Sequence, residues 1–100
     1  MMLHTVNKSP FDHNTFETCL KFARPGSAVL LIEDGVYAAA ADTAVSKRVQ
    51  EALKSVSIYA LKPDVEARGM QNRVMDGVRL VDYGGFVDLV VEHNAVQSWL

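Results

Sequence analysis

A run of five consecutive apolar residues, Ala28 to Ile32, is the sequence feature that most restricts the possible folds. A strand with one face in water alternates apolar and polar residues, whereas this run has no alternation. It therefore predicts a strand, Ser27 to Glu33, that is covered on both faces. Such strands are typical of parallel sheets, in which helical connections pack against the two sides. The run thus predicts an α/β protein.

Strand and helix patterns alternate along the rest of the chain. Further strands are predicted at Leu3–Val6, Val56–Leu61 and Val78–Asp82. Helical segments are predicted between Asn14 and Arg24, and at Val36–Ala41, Ser46–Lys54, Pro63–Arg68 and Tyr83–Glu92. Asn14 and Glu17 have the spacing of a capping pair for the first helix. This order predicts one domain over residues 1–100, a small three-layer α/β sandwich on a mainly parallel sheet of about four strands.

The composition indicates a globular domain that neither binds nucleic acid directly nor crosses a membrane. The 100 residues carry a net charge of -2, and the ten Lys and Arg residues are scattered along the chain. A phosphate backbone requires clustered positive charge, so a nucleic-acid partner is not expected. No apolar run is long enough to span a bilayer, and no secretory signal is expected. A single cysteine cannot close an internal disulfide, which predicts a cytoplasmic location.

The sequence contains no motif for a metal or a bound cofactor. His4, His13 and His93 have neither HxxxH spacing nor nearby carboxylates in a ligand pattern. We expect His4 to pack in or beside the first strand and His93 to lie near a helix end. Ligands of parallel sheets gather beyond the carboxyl ends of the strands, which here are Asn7–Ser9, Asp34–Gly35, Lys62–Asp64 and Asp82–Gly85. None of them is a phosphate-binding glycine loop, so no cofactor and no metal are expected.

The only cysteine, Cys19, is the candidate catalytic residue. Helical spacing places it about 50° from the centre of the apolar stripe of the first helix. A buried free cysteine behaves as a small apolar residue, and the spacing favours that role. The alternative is a thiol that accepts sulfur. Its activation would need a partner from elsewhere in the structure, because the cations of the same helix lie on other faces.

Trp99 is a large aromatic residue next to the end of the sequence. Chain ends are usually frayed, so a tryptophan there needs an explanation. It either folds back onto the domain or anchors a partner protein, since exposed tryptophan is common at interface hot spots.

Four separated stretches of the sequence carry a resemblance to a known family. They are MLHTVNKSPF, LLIEDGVYAAA, IYALKPDVEARG and VDYGGFVDLVVEH followed by QSWL. Together these stretches, which occur in order from residue 2 to residue 100, resemble the DsrH/TusB family of sulfur-relay subunits. The resemblance implies a DsrE/DsrF-like fold and a place in a cytoplasmic heterohexamer with DsrE/TusD-type and DsrF/TusC-type subunits. Such complexes pass persulfide sulfur to a DsrC/TusE-type carrier, and their principal persulfide cysteine belongs to the DsrE/TusD-type subunit.

The family has two branches with different purposes, and the resemblance leaves three hypotheses. DsrH-type subunits work in sulfur oxidation and resemble this chain in having a cysteine in the first helix, here Cys19 in ETCLKFA. That match favours a DsrH-type subunit whose Cys19 accepts or shelters sulfur. TusB-type subunits serve the thiolation of the wobble uridine of certain tRNAs, and they can lack cysteine. In the third hypothesis the chain is a purely structural subunit, and Cys19 only packs in its core.

Overall fold

A computed structural model describes all 100 residues as a five-stranded sheet with helices on both sides. The strands are β1 Met2–Val6, β2 Ala28–Leu31, β3 Ser57–Leu61, β4 Arg79–Val81 and β5 Ala95–Trp99. The α-helices are α1 Thr15–Phe22, α2 Ser46–Ala52, α3 Lys62–Ala67 and α4 Tyr83–Glu92, and a 3₁₀ helix spans Glu33–Ala39. No helix has the length and apolar character that a membrane crossing requires.

The sheet is entirely parallel and has the strand order β4-β3-β2-β1-β5. The first three connections each move the chain to the adjacent strand, whereas α4 carries it back across the sheet to the far side of β1. Val29 and Leu31 of β2 belong to the larger core, together with residues from α1, α2 and α3. Ala28 and Leu30, which point the other way, form a smaller core with Leu89 of α4. The predicted strand is therefore buried on both faces, and the three-layer α/β sandwich is confirmed.

The strand count is larger than predicted, because the tail of the chain forms β5. Its five residues pair in parallel with β1, from Met2 opposite Ala95 to Val6 opposite Trp99. The segment has little apolar alternation of its own, and its side chains are mostly exposed. A strand at a sheet edge is stabilised by hydrogen bonds to its neighbour, and periodicity within the segment does not report that pairing.

The predicted capping pair at the start of α1 is wrong. The side chain of Asn14 makes no capping hydrogen bond, and the carboxylate of Glu17 pairs with Arg48 near the start of α2, with Nε to Oε2 at 3.0 Å. The Glu17 carboxylate therefore binds a cation of another helix and not the backbone at the start of its own helix. The other predicted helices and strands lie where expected, with ends that differ by up to two residues, except that the segment at Val36–Ala41 is the 3₁₀ helix and begins earlier.

Candidate functional site

Cys19 lies in the larger core and exposes none of its surface. It points inward from α1, between this helix and the sheet, as its helical position predicts. Burial raises the pKa of its thiol to about 12, because a thiolate would lose its hydration there. On the order of one molecule in 100,000 would then carry a thiolate at neutral pH.

These surroundings do not provide the conditions that sulfur transfer requires. The thiolate is the nucleophile that attacks a persulfide, and a second protein must be able to reach it. Cys19 meets neither condition in this structure, because its thiol is neutral and α1 covers it. A carrier role for Cys19 stays a prediction that requires α1 to move away from the sheet.

The outward face of α4 is an exposed apolar surface that the sequence analysis did not single out. We call it the α4 surface; it is formed by Tyr83, Phe86, Val87, Val90 and Val91. Tyr83 is 62% exposed, Val87 61% and Val91 78%. These five side chains line a shallow depression of about 270 Å³. In α4 only Leu89 is buried.

The sequence of α4, YGGFVDLVVE, contains the signal for this surface. A helix that is apolar all round is normally covered on all sides, whereas a helix at the surface keeps one polar face. Val90, on the same helix, is also 39% exposed. The only charged residues of the helix are Asp88 and Glu92, which are both exposed and acidic. The α4 surface therefore has the composition of a protein interface with an acidic border.

A second feature lies at the carboxyl edge of the sheet. We call it the polar cleft; it has a volume of about 320 Å³ and is lined by Asn7, Lys8, Ser9, Asp12, His13, Glu33, Asp34 and Arg68. Two of the four predicted strand ends line this cleft, and Asp64 of a third strand end accepts a hydrogen bond from the Glu33 N–H at 2.6 Å. Asp82 at the fourth strand end caps α4 instead, accepting from the Gly85 N–H at 2.7 Å.

Trp99 folds back onto the domain, which is one of its two predicted roles. Its indole Nε1 donates to His4 Nδ1 at 3.0 Å, and its ring stacks on Phe22 with 6.0 Å between centroids.

His4 is 4% exposed in β1, and His93 lies at the end of α4 with Nδ1 2.6 Å from the Leu89 carbonyl oxygen. Both histidines are therefore where the sequence analysis expected them. No group of three His, Cys, Asp or Glu side chains is arranged to hold a metal ion.

The buried His4 predicts that the protein loses stability as the medium becomes acidic. Burial lowers the pKa of His4 below its ordinary value of 6.5, so the unfolded chain binds more protons than the folded one between these two values. The free energy of unfolding should therefore be highest above about pH 6.5 and fall as the pH drops through that value. Urea unfolding between pH 7.5 and 5.5 measures this free energy.

His4→Gln should remove the loss of stability between pH 7.5 and 5.5, whereas His13→Gln, at an exposed site, should leave that loss unchanged. If His4→Gln keeps the loss and His13→Gln removes it, His4 is not its cause.

Solved structures with the same fold cover nearly the whole chain. The ychN protein of E. coli superposes with a TM-score of 0.84 at 16% sequence identity, covering 97% of both chains. A Thermotoga maritima protein solved by NMR has a TM-score of 0.68 at 26% identity and covers 93% of this chain and 94% of its own. These similarities establish the architecture of the sheet and its helices.

Sequence comparisons establish the family. The family model described as "DsrH like protein" matches residues 8–96. A relative named Protein TusB from Pectobacterium parmentieri is 41% identical over 98 residues, 98% of this chain and 100% of the relative. Proteins of the same name from Photorhabdus laumondii and an Escherichia coli O81 strain are 36% and 35% identical, again over 98% of this chain and their own full length. The chain belongs to the DsrH/TusB family of sulfur-relay subunits.

Proposed function

We propose that this chain is a TusB-type subunit of a sulfur-relay complex that serves the thiolation of wobble uridine in tRNA. The relatives of 35–41% identity are named TusB and match along their whole length, which favours this branch over the DsrH branch. The DsrH-type role in sulfur oxidation is the second candidate, and the cysteine of the first helix is the observation that favours it.

The α4 surface is the observation that carries the proposed role as an assembly subunit. Three of its residues are more than 60% exposed, although burying a large aliphatic side chain is worth about 1.5–3 kcal/mol. A helix with this composition gains that energy only when another protein covers it. The proposed partners are the DsrE/TusD-type and DsrF/TusC-type chains of a heterohexamer. In this proposal the partner chains, and not this one, pass sulfur to the DsrC/TusE-type carrier.

In this proposal the subunit supports the chemistry and does not perform it. Cys19 is buried and its thiol is protonated, so sulfur is carried on cysteines of the partner chains. Direct contact with tRNA is not required, since the relay ends on another protein. This agrees with a net charge of -2 and the absence of a basic cluster in the sequence.

Complementation tests the choice of pathway. A bacterium that lacks its own TusB and makes little 2-thiouridine is given this chain, and the tRNA nucleosides are measured by mass spectrometry. Restored 2-thiouridine supports the TusB-type role. A well-expressed chain that leaves the nucleoside at the deficient level, when the strain's own TusB restores it, counts against that role.

A charge placed on the α4 surface should prevent assembly. Val91→Asp introduces a carboxylate at a position that is 78% exposed, so the stability of the chain should change by less than about 1 kcal/mol. Desolvating that carboxylate in an interface should weaken binding to the partner subunits at least about 30-fold. Co-expression followed by size-exclusion chromatography measures assembly. Phe11→Asp, at a 50% exposed residue outside α4, is the matched control. If the Val91→Asp complex forms as readily as the control, α4 is not the interface.

Substitutions at Cys19 separate packing from sulfur transport. Cys19→Ala keeps an apolar side chain and Cys19→Ser buries a hydroxyl, so we expect the serine variant to be less stable than the alanine variant by about 1–2 kcal/mol. Both assembled complexes should transfer sulfur at the parent rate. Urea unfolding gives the stability, and mass spectrometry of the carrier protein gives the transfer. A stable Cys19→Ala complex that no longer transfers sulfur would establish Cys19 as a carrier.

A further inference from the structure

A small cavity opens at the amino edge of the sheet, where β1 begins at Met2 and Ser27 precedes β2. We call it the amino-edge cavity; it has a volume of about 190 Å³ and is lined by Met1, Met2, His4, Phe22, Arg24 and Ser27. Sites for drug-sized ligands usually measure ~300–1,000 Å³. This cavity therefore has room for one small chemical group.

The imidazole of His4 has a fixed tautomer. An indole N–H only donates, so His4 Nδ1, which lies 3.0 Å from Trp99 Nε1, is the acceptor of that hydrogen bond. Burial lowers the pKa of His4 below 6.5, which keeps the ring neutral at neutral pH. A neutral imidazole has one N–H, and with Nδ1 accepting, the proton is on Nε2.

The Nε2–H group of His4 has no acceptor within the protein, since the hydrogen bond from Trp99 is the only one that the ring makes. His4 is 4% exposed, yet the only fully buried polar side-chain atom without a partner is Asn7 Oδ1. Nε2 is therefore not sealed in the core. Trp99 covers the Nδ1 side of the ring, and the remaining edge lines the cavity. A ligand that satisfies this donor must accept a hydrogen bond.

The one charged side chain that lines the cavity is a cation, Arg24. It is exposed, and its guanidinium takes part in none of the ion pairs of the protein, which use Arg48, Lys54 and Arg68. Its backbone is held in place, because the N–H and the Oγ of Ser27 both donate to the Arg24 carbonyl oxygen, at 3.0 and 2.6 Å. With no carboxylate in the lining, the favoured ligand charge is negative.

The other walls of the cavity are apolar. Met1 is 55% exposed, Met2 38% and Phe22 68%, and the ring of Phe22 is supported by its stacking on Trp99. A strongly hydrated anion such as phosphate would lose water against these walls without replacing it. An anion with an apolar part instead gains the burial of these side chains.

We propose that the amino-edge cavity binds a carboxylate that is attached to an apolar group. One carboxylate oxygen accepts from His4 Nε2–H and the other from the Arg24 guanidinium, and the apolar group packs on Phe22. A metal ion does not fit, because Nε2 holds a proton and no carboxylate lines the cavity. The carboxylate can belong to a free organic acid or to the chain end of another protein. This inference is independent of the proposed relay function.

Titration of the ¹⁵N-labelled full-length chain with phenylacetate at pH 7.5 tests the proposal. Long-range ¹H–¹⁵N spectra should show the proton of His4 on Nε2 in the free chain, and the Nε2 signal should shift in a saturable way. Phenylacetamide has the same ring without the charge, so it should bind at least about fivefold more weakly.

A variant of Arg24 tests the second contact. Arg24→Gln should weaken the binding of phenylacetate about fivefold, as the loss of an exposed ion pair predicts. Arg73→Gln removes the same charge from another exposed arginine that makes no ion pair and does not line the cavity, so this control should bind as the parent does.

Further probes distinguish the sources of the carboxylate and the alternatives. Tighter binding of the peptide acetyl-Ala-Ala-Phe, with a free carboxylate, than of phenylacetate supports a protein chain end, and the reverse order supports a free organic acid. The proposal is overturned if the proton of His4 is on Nδ1, if the Nε2 signal does not saturate, or if phenylacetamide binds as well as phenylacetate. It is also overturned if Arg24→Gln binds as the parent does, or if inorganic phosphate binds more tightly than phenylacetate.

Discussion

Gly35→Ala is expected to destabilise the protein by at least about 3 kcal/mol, because the added methyl group has no space. A Cβ at this position would lie 2.1 Å from the Val6 carbonyl oxygen and 2.9 Å from its carbon. Both are backbone atoms at the end of β1, and the same oxygen accepts a hydrogen bond from the Ile32 N–H at 3.0 Å. Neither β1 nor the 3₁₀ helix can move without breaking that bond. The predicted loss is read from urea unfolding and from a melting temperature lowered by roughly 12 °C or more.

Gly84→Ala is the matched control for this prediction. A Cβ there would meet only Asp82 Oδ1, at 3.4 Å, which is ordinary contact. Gly84 lies in α4, where alanine is favoured over glycine by about 0.5–1 kcal/mol, so the variant should be as stable as the parent or more stable. A Gly35→Ala protein within about 1 kcal/mol of the parent would contradict the close approach of the 3₁₀ helix to β1.

Trp99→Ala is expected to cost about 2–3 kcal/mol and to loosen β5 from the sheet. The indole packs against the larger core, stacks on Phe22 and donates to His4, so its removal leaves a void and a buried imidazole nitrogen without a partner. Stability is measured by urea unfolding. Hydrogen exchange of the amides in Ala95–Trp99 should accelerate more than exchange in β2, because β5 is paired on one side only.

Trp99→Phe separates the two contributions of this residue. It keeps an aromatic ring against Phe22 and loses only the hydrogen bond to His4, so it should cost about 1 kcal/mol, clearly less than Trp99→Ala. Equal losses for the two variants would show that ring packing contributes nothing to holding β5. A change confined to hydrogen exchange, with global stability unchanged, would show that β5 unfolds separately from the rest of the sheet.

The α4 surface and the polar cleft show why candidate sites were harder to predict than helices and strands. Apolar spacing identified α4 correctly, but spacing does not show how many sides of a helix the rest of the chain can cover. The return from β4 to β5 leaves α4 as the one helix on its face of the sheet, which explains the exposure of Val87 and Val91. The cleft joins Asn7, Glu33 and Arg68, which are far apart in sequence and meet only at the carboxyl edge.

The sequence alone determined the fold class, the family and the inward position of Cys19. These follow from local patterns: an apolar run without alternation, helical spacing around one cysteine, and four stretches of family resemblance. Only the tertiary structure decided that the tail is a fifth strand, that Glu17 pairs with Arg48, and that α4 keeps an uncovered apolar face. The physical reason is the range of the interactions. Periodicity reports the burial of neighbours along the chain, whereas edge pairing, ion pairs and uncovered surfaces depend on which distant segments the folded backbone brings together.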